Sequence, residues 1–237
     1  MFTVVFLVGV AVLTFLAVEI GPLYAADRFR NLREPTDAER GRLDSLRETA
    51  GLDVDRVAIE RRGAGGVPPD EPGGETGGEE VGRIEIAVRG PPRRRVLFLA
   101  EAVLDDLDED VAIGLLAAEA GRVETYYGEF RAVAVAAVVG VLAAVVTATV
   151  PFDAGFASLV AVGLAAFWVG RRVQYAADDR AADAVGAGRV ADAFERAAAI
   201  RGVAPETGDW STWFEVQPPL GDRIAALRKR DGSERAS

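Results

Sequence analysis

The chain begins with a long apolar stretch that predicts a membrane anchor. Residues 2–18 carry no charge, and with residues 20–26 they reach the roughly 20 apolar residues that a helical span needs. A cleaved signal peptide is the alternative, but that kind of segment has a basic region before its apolar core, and none is present here. We therefore predict a retained transmembrane anchor over residues 1–26.

A second apolar region predicts a transmembrane hairpin. Residues 132–150 and residues 154–170 are both uncharged, and the turn Pro151-Phe152-Asp153 separates them. A pair of buried helices in a soluble bundle is the alternative, but these stretches have no polar face to turn towards water. The hairpin is predicted over residues 132–170.

Arginines predict how the chain lies in the membrane. They flank the apolar stretches at Arg28, Arg30, Arg33, Arg131, Arg171 and Arg172. The tip of the hairpin carries only Asp153. Because basic flanks stay on the cytoplasmic side, residues 27–131 and 171–237 are expected in the cytoplasm and Asp153 outside. The prediction is a multi-pass protein of the cell membrane.

The two predicted cytoplasmic parts contain helices and a few short strands. Thr36 and Glu39 form a capping box that opens a helix, and Gly51 ends it. The patterns predict, in order, a helix at 36–50, strands at 54–59, 84–88 and 95–99, a helix at 108–131, an Ala-rich helix from Gln174, and helices at 191–200 and 222–228. The predicted fold is mainly α with a small β-sheet, in an integral membrane protein.

Other segments have weaker patterns. Residues 63–82 are rich in Gly, Pro and Glu and predict a flexible acidic loop. Trp210, Trp213 and Phe214 are expected in the core or at the membrane interface, and residues 231–237 are expected to fray.

The amino-acid composition limits which partners and which site chemistry the protein can have. The net charge is −10 although the mean hydropathy is +0.15, which indicates membrane segments beside an acidic domain and disfavours nucleic acid as a partner. The chain has no cysteine and no histidine, and Lys229 is its only lysine. Excess carboxylate with Arg in place of Lys is typical of proteins from salt-accumulating microbes.

The predicted helix at 108–131 contains the main candidate for chemistry. Its centre reads Ala118-Glu119-Ala120-Gly121-Arg122. In the zinc-peptidase motif His-Glu-x-x-His, two imidazoles one turn apart bind zinc and the Glu is the general base. Here the Glu position is kept as Glu119, and the two ligand positions hold Ala118 and Arg122.

The order of these segments resembles the HtpX-like membrane zinc endopeptidases, a gluzincin family related to the CAAX prenyl endopeptidases. Four motifs occur in the same order as in the family. They are residues 103–110 at the start of the helix that contains Glu119, the hairpin, Gln174-Tyr175-Ala176-Ala177-Asp178, and Gln217-Pro218-Pro219-Leu220 followed by Arg223-Ile224. The resemblance implies a zincin-like cytoplasmic domain with zinc as the family cofactor. It also places Gln174 at the third zinc ligand, Gln217 at a downstream His, and Asp178 in the second shell or in an ion pair.

The departures from the family lie at the chemistry. Catalytic zinc needs three protein ligands, and Ala118, Arg122 and Gln174 are not such a set. We therefore expect no cofactor and a catalytically inactive pseudopeptidase. Its expected role is binding or regulatory in the lipid bilayer, towards membrane-protein segments or a related active peptidase.

Two alternatives remain open. One is an active membrane metallopeptidase that holds a hard metal with carboxylates such as Glu119, Glu124 and Asp178. The other is a membrane-anchored structural protein without peptidase ancestry.

The arginine at the second ligand position suggests how the site is neutralised. Arg122 follows Glu119 by three residues, so the two side chains can pair on one helix face. A bond from Arg122 to Asp178 would instead join two helices where zinc would have joined them. We expect the Arg122 guanidinium to bind one of these two carboxylates.

Overall fold

The computed structural model describes residues 2–29, 31–61, 85–200, 202 and 218–236, with side chains outside residues 25–29. The predicted loop at 63–82, the three aromatics Trp210, Trp213 and Phe214, and Gln217 lie outside these residues. The elements in chain order are α1 Phe2–Phe29, β1 Leu32–Arg33, α2 Asp37–Ala50, β2 Arg56–Glu60, β3 Ile86–Arg89, β4 Val96–Ala100, α3 Glu101–Asp105, α4 Glu109–Glu124, α5 Tyr127–Val146, α6 Phe152–Val185, α7 Ala187–Ile200 and α8 Leu220–Ala236.

The three apolar stretches are all helical. Helices α1, α5 and α6 are long and apolar enough to cross a membrane. Helix α5 packs against both α1 and α6. Large apolar side chains on these helices remain exposed, among them Leu13, Val133 and Leu164. Such a surface suits contact with lipid chains, because its exposure to water would be unfavourable.

The sheet is small and mixed. Its four strands have the order β1-β2-β4-β3, with β2 parallel to β4 and the other pairs antiparallel. Strand β1 was not predicted, because a strand of two residues is too short to show a recognisable alternation. Strand β3 is at one edge of the sheet, beside α4. The predicted capping box of Thr36 and Glu39 is confirmed at the start of α2, and Gly51 ends that helix with a φ of 68°.

The predicted helix at 108–131 is wrong, because the structure has two helices there. Helix α4 ends at Glu124, and α5 begins at Tyr127. The Thr125 hydroxyl donates to the Gly121 carbonyl at 2.8 Å, and Tyr126 takes a left-handed conformation with a φ of 54°. The chain therefore turns between the buried α4 and the membrane helix α5.

Two other helices are longer than predicted. Helix α6 runs from Phe152 to Val185 without a break, because residues 171–185 lack a helix-breaking residue, and it ends before Gly186, which has a φ of 91°. Helix α8 continues to Ala236, through the residues predicted to fray. Arg230 stabilises that end, since its Nε donates to Glu234 at 2.8 Å and its Nη1 donates to the Asp179 carbonyl at 3.1 Å.

The core forms where α4 meets the sheet, α6, α7 and α8. Leu97 of β4, Leu116 of α4, Val190 of α7 and Leu227 of α8 are all buried there. Helix α4 crosses α6 at Gly121, where an added Cβ would lie well inside van der Waals distance of the Ala177 carbonyl. This close approach holds the candidate site residues of the two helices beside each other.

The close crossing predicts that replacing glycine by alanine lowers stability at Gly121 but not at Gly41. Gly121→Ala should destabilise the protein by about 1–3 kcal/mol, because the methyl group forces the two backbones apart. Gly41→Ala is the matched control, since nothing lies within 4 Å of a Cβ at that exposed position of α2. It should be neutral or stabilising by up to about 1 kcal/mol. Thermal unfolding in detergent measures both, and equal effects would contradict the close crossing.

Candidate functional site

Glu119 lies in the interior of α4 and is only 7% exposed. Its Oε2 accepts a hydrogen bond from the Val88 backbone N–H at 3.3 Å, and its Oε1 accepts one from Arg122 Nη1. Val88 belongs to the edge strand β3. Both oxygens of the carboxylate are therefore used in holding α4 to itself and to the sheet.

Of the two carboxylates that the sequence left open as partners, Arg122 binds Glu119, on its own helix. The Glu119 charge raises the pKa of the Arg122 guanidinium, and the Asp178 charge adds to this, whereas burial lowers it. The guanidinium therefore stays charged, although the Arg122 side chain is only 27% exposed. Its Nε atom is buried and has no hydrogen-bond partner within the described part of the chain.

Asp178 is bound by Arg223 of α8 rather than by Arg122. Arg223 donates from Nε to Oδ2 at 2.7 Å and from Nη2 to Oδ1 at 2.6 Å, a bidentate geometry. The two side chains are 4% and 7% exposed. The Arg223 guanidinium also stacks over the Phe194 ring at 4.4 Å. This pair therefore joins α6 to α8 and packs against α7.

Gln174 lies one turn before Asp178 on α6 and is fully buried. Its Nε2 donates to Asp178 Oδ1 at 3.3 Å, and its Oε1 has no partner among the described residues. Gln174, expected at the third ligand position, therefore belongs to the Asp178–Arg223 network. Ala118, at the first ligand position, is also buried.

These residues do not fit a catalytic zinc ion. Ala118 has no donor atom, Arg122 places a fixed positive charge at the second ligand position, and Gln174 is a neutral amide. The described residues contain no group of three or more His, Cys, Asp or Glu side chains that could hold a metal ion. No catalytic step through a metal follows from this arrangement.

The carboxylates of the alternative metal site are not brought together. Glu119 is paired with Arg122 and Asp178 with Arg223, whereas Glu124 is exposed at the end of α4. Glu124 lines a different cavity, together with Tyr126 and Arg180. The three side chains therefore do not form one group of ligands.

Sequence reasoning missed two partners in this site. Arg223 was noted only as part of the last collinear motif, although it is the ion-pair partner of Asp178. Its retention together with Asp178 was the available signal. Val88 donates through its backbone, so its side-chain identity contained no signal for the bond to Glu119.

Two cavities lie on either side of the Glu119–Arg122 pair. One has a volume of about 240 Å³ and lies between α1, the edge strand β3 and the start of α5. The other has a volume of about 230 Å³ and lies between α4, α7 and α8, with apolar walls that include Leu115, Phe194 and Leu220. The first is called the interface cavity below.

The described residues thus define a mainly helical fold with three possible membrane spans and a small mixed sheet. They also form one buried and one partly buried arginine–carboxylate pair. The sequence matches no protein-family model and no curated protein. The structure is similar to the crystal structure of Ste24p from S. mikatae, with a TM-score of 0.65 and 15% sequence identity. The similarity covers 96% of this chain and 58% of Ste24p. This chain therefore shares its fold with part of a larger protein.

Because Asp178 is paired with Arg223, its loss should lower the stability of the protein much more than the loss of the neighbouring Asp179. Asp178→Asn should destabilise the protein by about 3–5 kcal/mol, because it leaves the buried Arg223 without its counter-charge. Asp179→Asn is the matched control. The Asp179 side chain is exposed beside Arg230, so its loss should cost less than about 1 kcal/mol. Thermal unfolding in detergent measures both, and a mild effect at Asp178 would show that the pair is not the support described here.

Proposed function

We propose that this chain is a membrane-embedded, non-catalytic relative of the zinc peptidases. Ste24p is a CAAX prenyl protease of a zinc metallopeptidase family. The shared fold supports a common ancestry, and it disfavours a structural protein of unrelated origin. The resemblance of the sequence to HtpX-like enzymes supports the same ancestry from the motifs.

One observation supports the proposed loss of catalysis. Glu119 occupies the position of the general base, but its two oxygens are bound by Arg122 and by the Val88 N–H. In a zinc peptidase the metal activates a water and the Glu accepts its proton. Here the residue at the second ligand position is itself the partner of Glu119. The site can therefore hold the fold together, but it lacks the groups that activate water.

The proposed role is to bind segments of other membrane proteins. Strand β3 lies at the edge of the sheet and lines the interface cavity from Ile86 to Arg89. An edge strand offers backbone groups to which an extended segment can add. The Val88 N–H already binds Glu119, so a segment would use the remaining backbone groups of the strand or displace that carboxylate. A related active peptidase is the other proposed partner, because a protein that keeps the fold can compete for the same segments.

Metal content and proteolysis test this function. We expect substoichiometric zinc and no casein degradation from the purified protein in detergent, because three ligand positions are altered. The single change Arg122→His should not restore binding. The triple change Ala118→His, Arg122→His, Gln174→Glu supplies three ligands and should bind zinc if the backbone keeps the family geometry. Stoichiometric zinc or proteolysis with the unmodified protein would overturn the proposal.

The membrane orientation is part of the same proposal. Residues 27–131 and 171–237 are proposed to be cytoplasmic, with Asp153 outside, on the distribution of arginines. Because the chain has no cysteine, single cysteines can be labelled without background. Asp153→Cys should react with an impermeant maleimide on intact cells. Glu109→Cys, at an exposed position of α4, should react only after permeabilisation. The reverse pattern would overturn the orientation.

A further inference from the structure

The interface cavity is lined by charged side chains of both signs. It is lined by four guanidinium groups, from Arg89, Arg95, Arg122 and Arg131, and by the carboxylates Glu19, Glu85, Glu119 and Glu129. Its volume of about 240 Å³ exceeds that of several water molecules at roughly 30 Å³ each. The cavity therefore has room for a polar group larger than water.

Two of the four guanidiniums are already neutralised. Arg95 Nη2 lies 3.0 Å from Glu129 Oε1, and Arg122 binds Glu119. Arg89 and Arg131 have no ion-pair partner within the described part of the chain. Burial lowers the pKa of Arg89, and the charge of Arg131 lowers it further. Two cations that repel each other in a partly buried cavity favour the binding of an anion.

Two further carboxylates lie near the unpaired arginines. Glu19 of α1 and Glu85 beside β3 also line the cavity, and both are close enough to act on the arginines electrostatically. Glu19 therefore competes with any external anion for Arg89 and Arg131. Removing the Glu19 charge should therefore strengthen anion binding, whereas removing the charges of Arg89 and Arg131 should weaken it.

The position of the cavity indicates where an anion would come from. Helix α5 has 20 residues, so at about 1.5 Å per residue it is about as long as the hydrocarbon layer is thick. With α5 across the bilayer, Tyr127 and Glu129 in its first turn lie at the membrane surface. The cavity is lined by this turn and by Val18 and Glu19 of α1. It is therefore level with the phosphate groups of the surrounding lipids.

We propose that the interface cavity binds the phosphate group of a membrane phospholipid through Arg89 and Arg131. The guanidinium fork matches phosphate oxygens and can bind two of them at once. Exposed apolar side chains continue from the cavity along the membrane helices, including Leu16 on α1 and Val133 on α5, and would contact the acyl chains. This step uses the membrane insertion of α5 and does not depend on the loss of catalysis.

Native mass spectrometry of the full chain in detergent tests the proposal. Titration with dioleoyl phosphatidylglycerol should give a bound lipid, whereas uncharged dioleoylglycerol should not. The double change Arg89→Gln, Arg131→Gln should weaken binding about tenfold or more, because it removes charge-assisted hydrogen bonds. Glu19→Gln should strengthen binding, since it removes the competing carboxylate.

Arg172→Gln is the matched control. Arg172 is an exposed arginine of α6 beside Trp168, outside the cavity, and its loss should leave binding unchanged. Equal weakening by Arg172→Gln, or equal binding of dioleoylglycerol, would overturn the site. Inorganic phosphate that binds with the same arginine dependence, without retained lipid, would overturn the lipid source. If the double variant does not fold, the response of Glu19→Gln decides, and unchanged or weaker binding in it would overturn the proposal.

Discussion

The close crossing of α4 and α6 is the constraint on which the charged centre of this protein depends. At Gly121 the backbones are so near that no side chain fits between them. The neighbouring polar side chains are consequently buried, and a buried charge without a partner costs several kcal/mol. Arg122 neutralises Glu119, and Arg223 neutralises Asp178. The packing thus requires both ion pairs, and both ion pairs strengthen the packing.

The two pairs also connect the parts of the fold. Through Glu119, α4 is held to the edge strand β3, and through Asp178, α6 is held to α8. Here arginine supplies the positive charge, and it differs from a metal because its charge is fixed and it has no open position for water. The two pairs are therefore structural supports of the fold.

Short-range features were the ones that the residue pattern predicted well. The capping box of α2 was found from Thr36 and Glu39, three residues apart, and the apolar stretches were found from their length and lack of charge. The break at Thr125–Tyr126 was missed, because nothing in those two residues forbids a helix and a left-handed tyrosine cannot be expected from sequence. The length of α8 was also missed, since Arg230 stabilises it through Asp179 on another helix.

In the site too, contacts between residues close in the sequence could be predicted, and contacts between distant residues could not. Sequence alone predicted that Arg122 binds Glu119 or Asp178, and the spacing of three residues along a helix made the Glu119 pair geometrically easy. Only the tertiary structure decided that Asp178 binds Arg223, 45 residues away, and that Glu119 binds the Val88 N–H, 31 residues away. Asp178 had two arginines available to it in the sequence. The packing of α6 against α8 selected one of them, since a hydrogen bond forms only between atoms that the fold brings within about 3 Å.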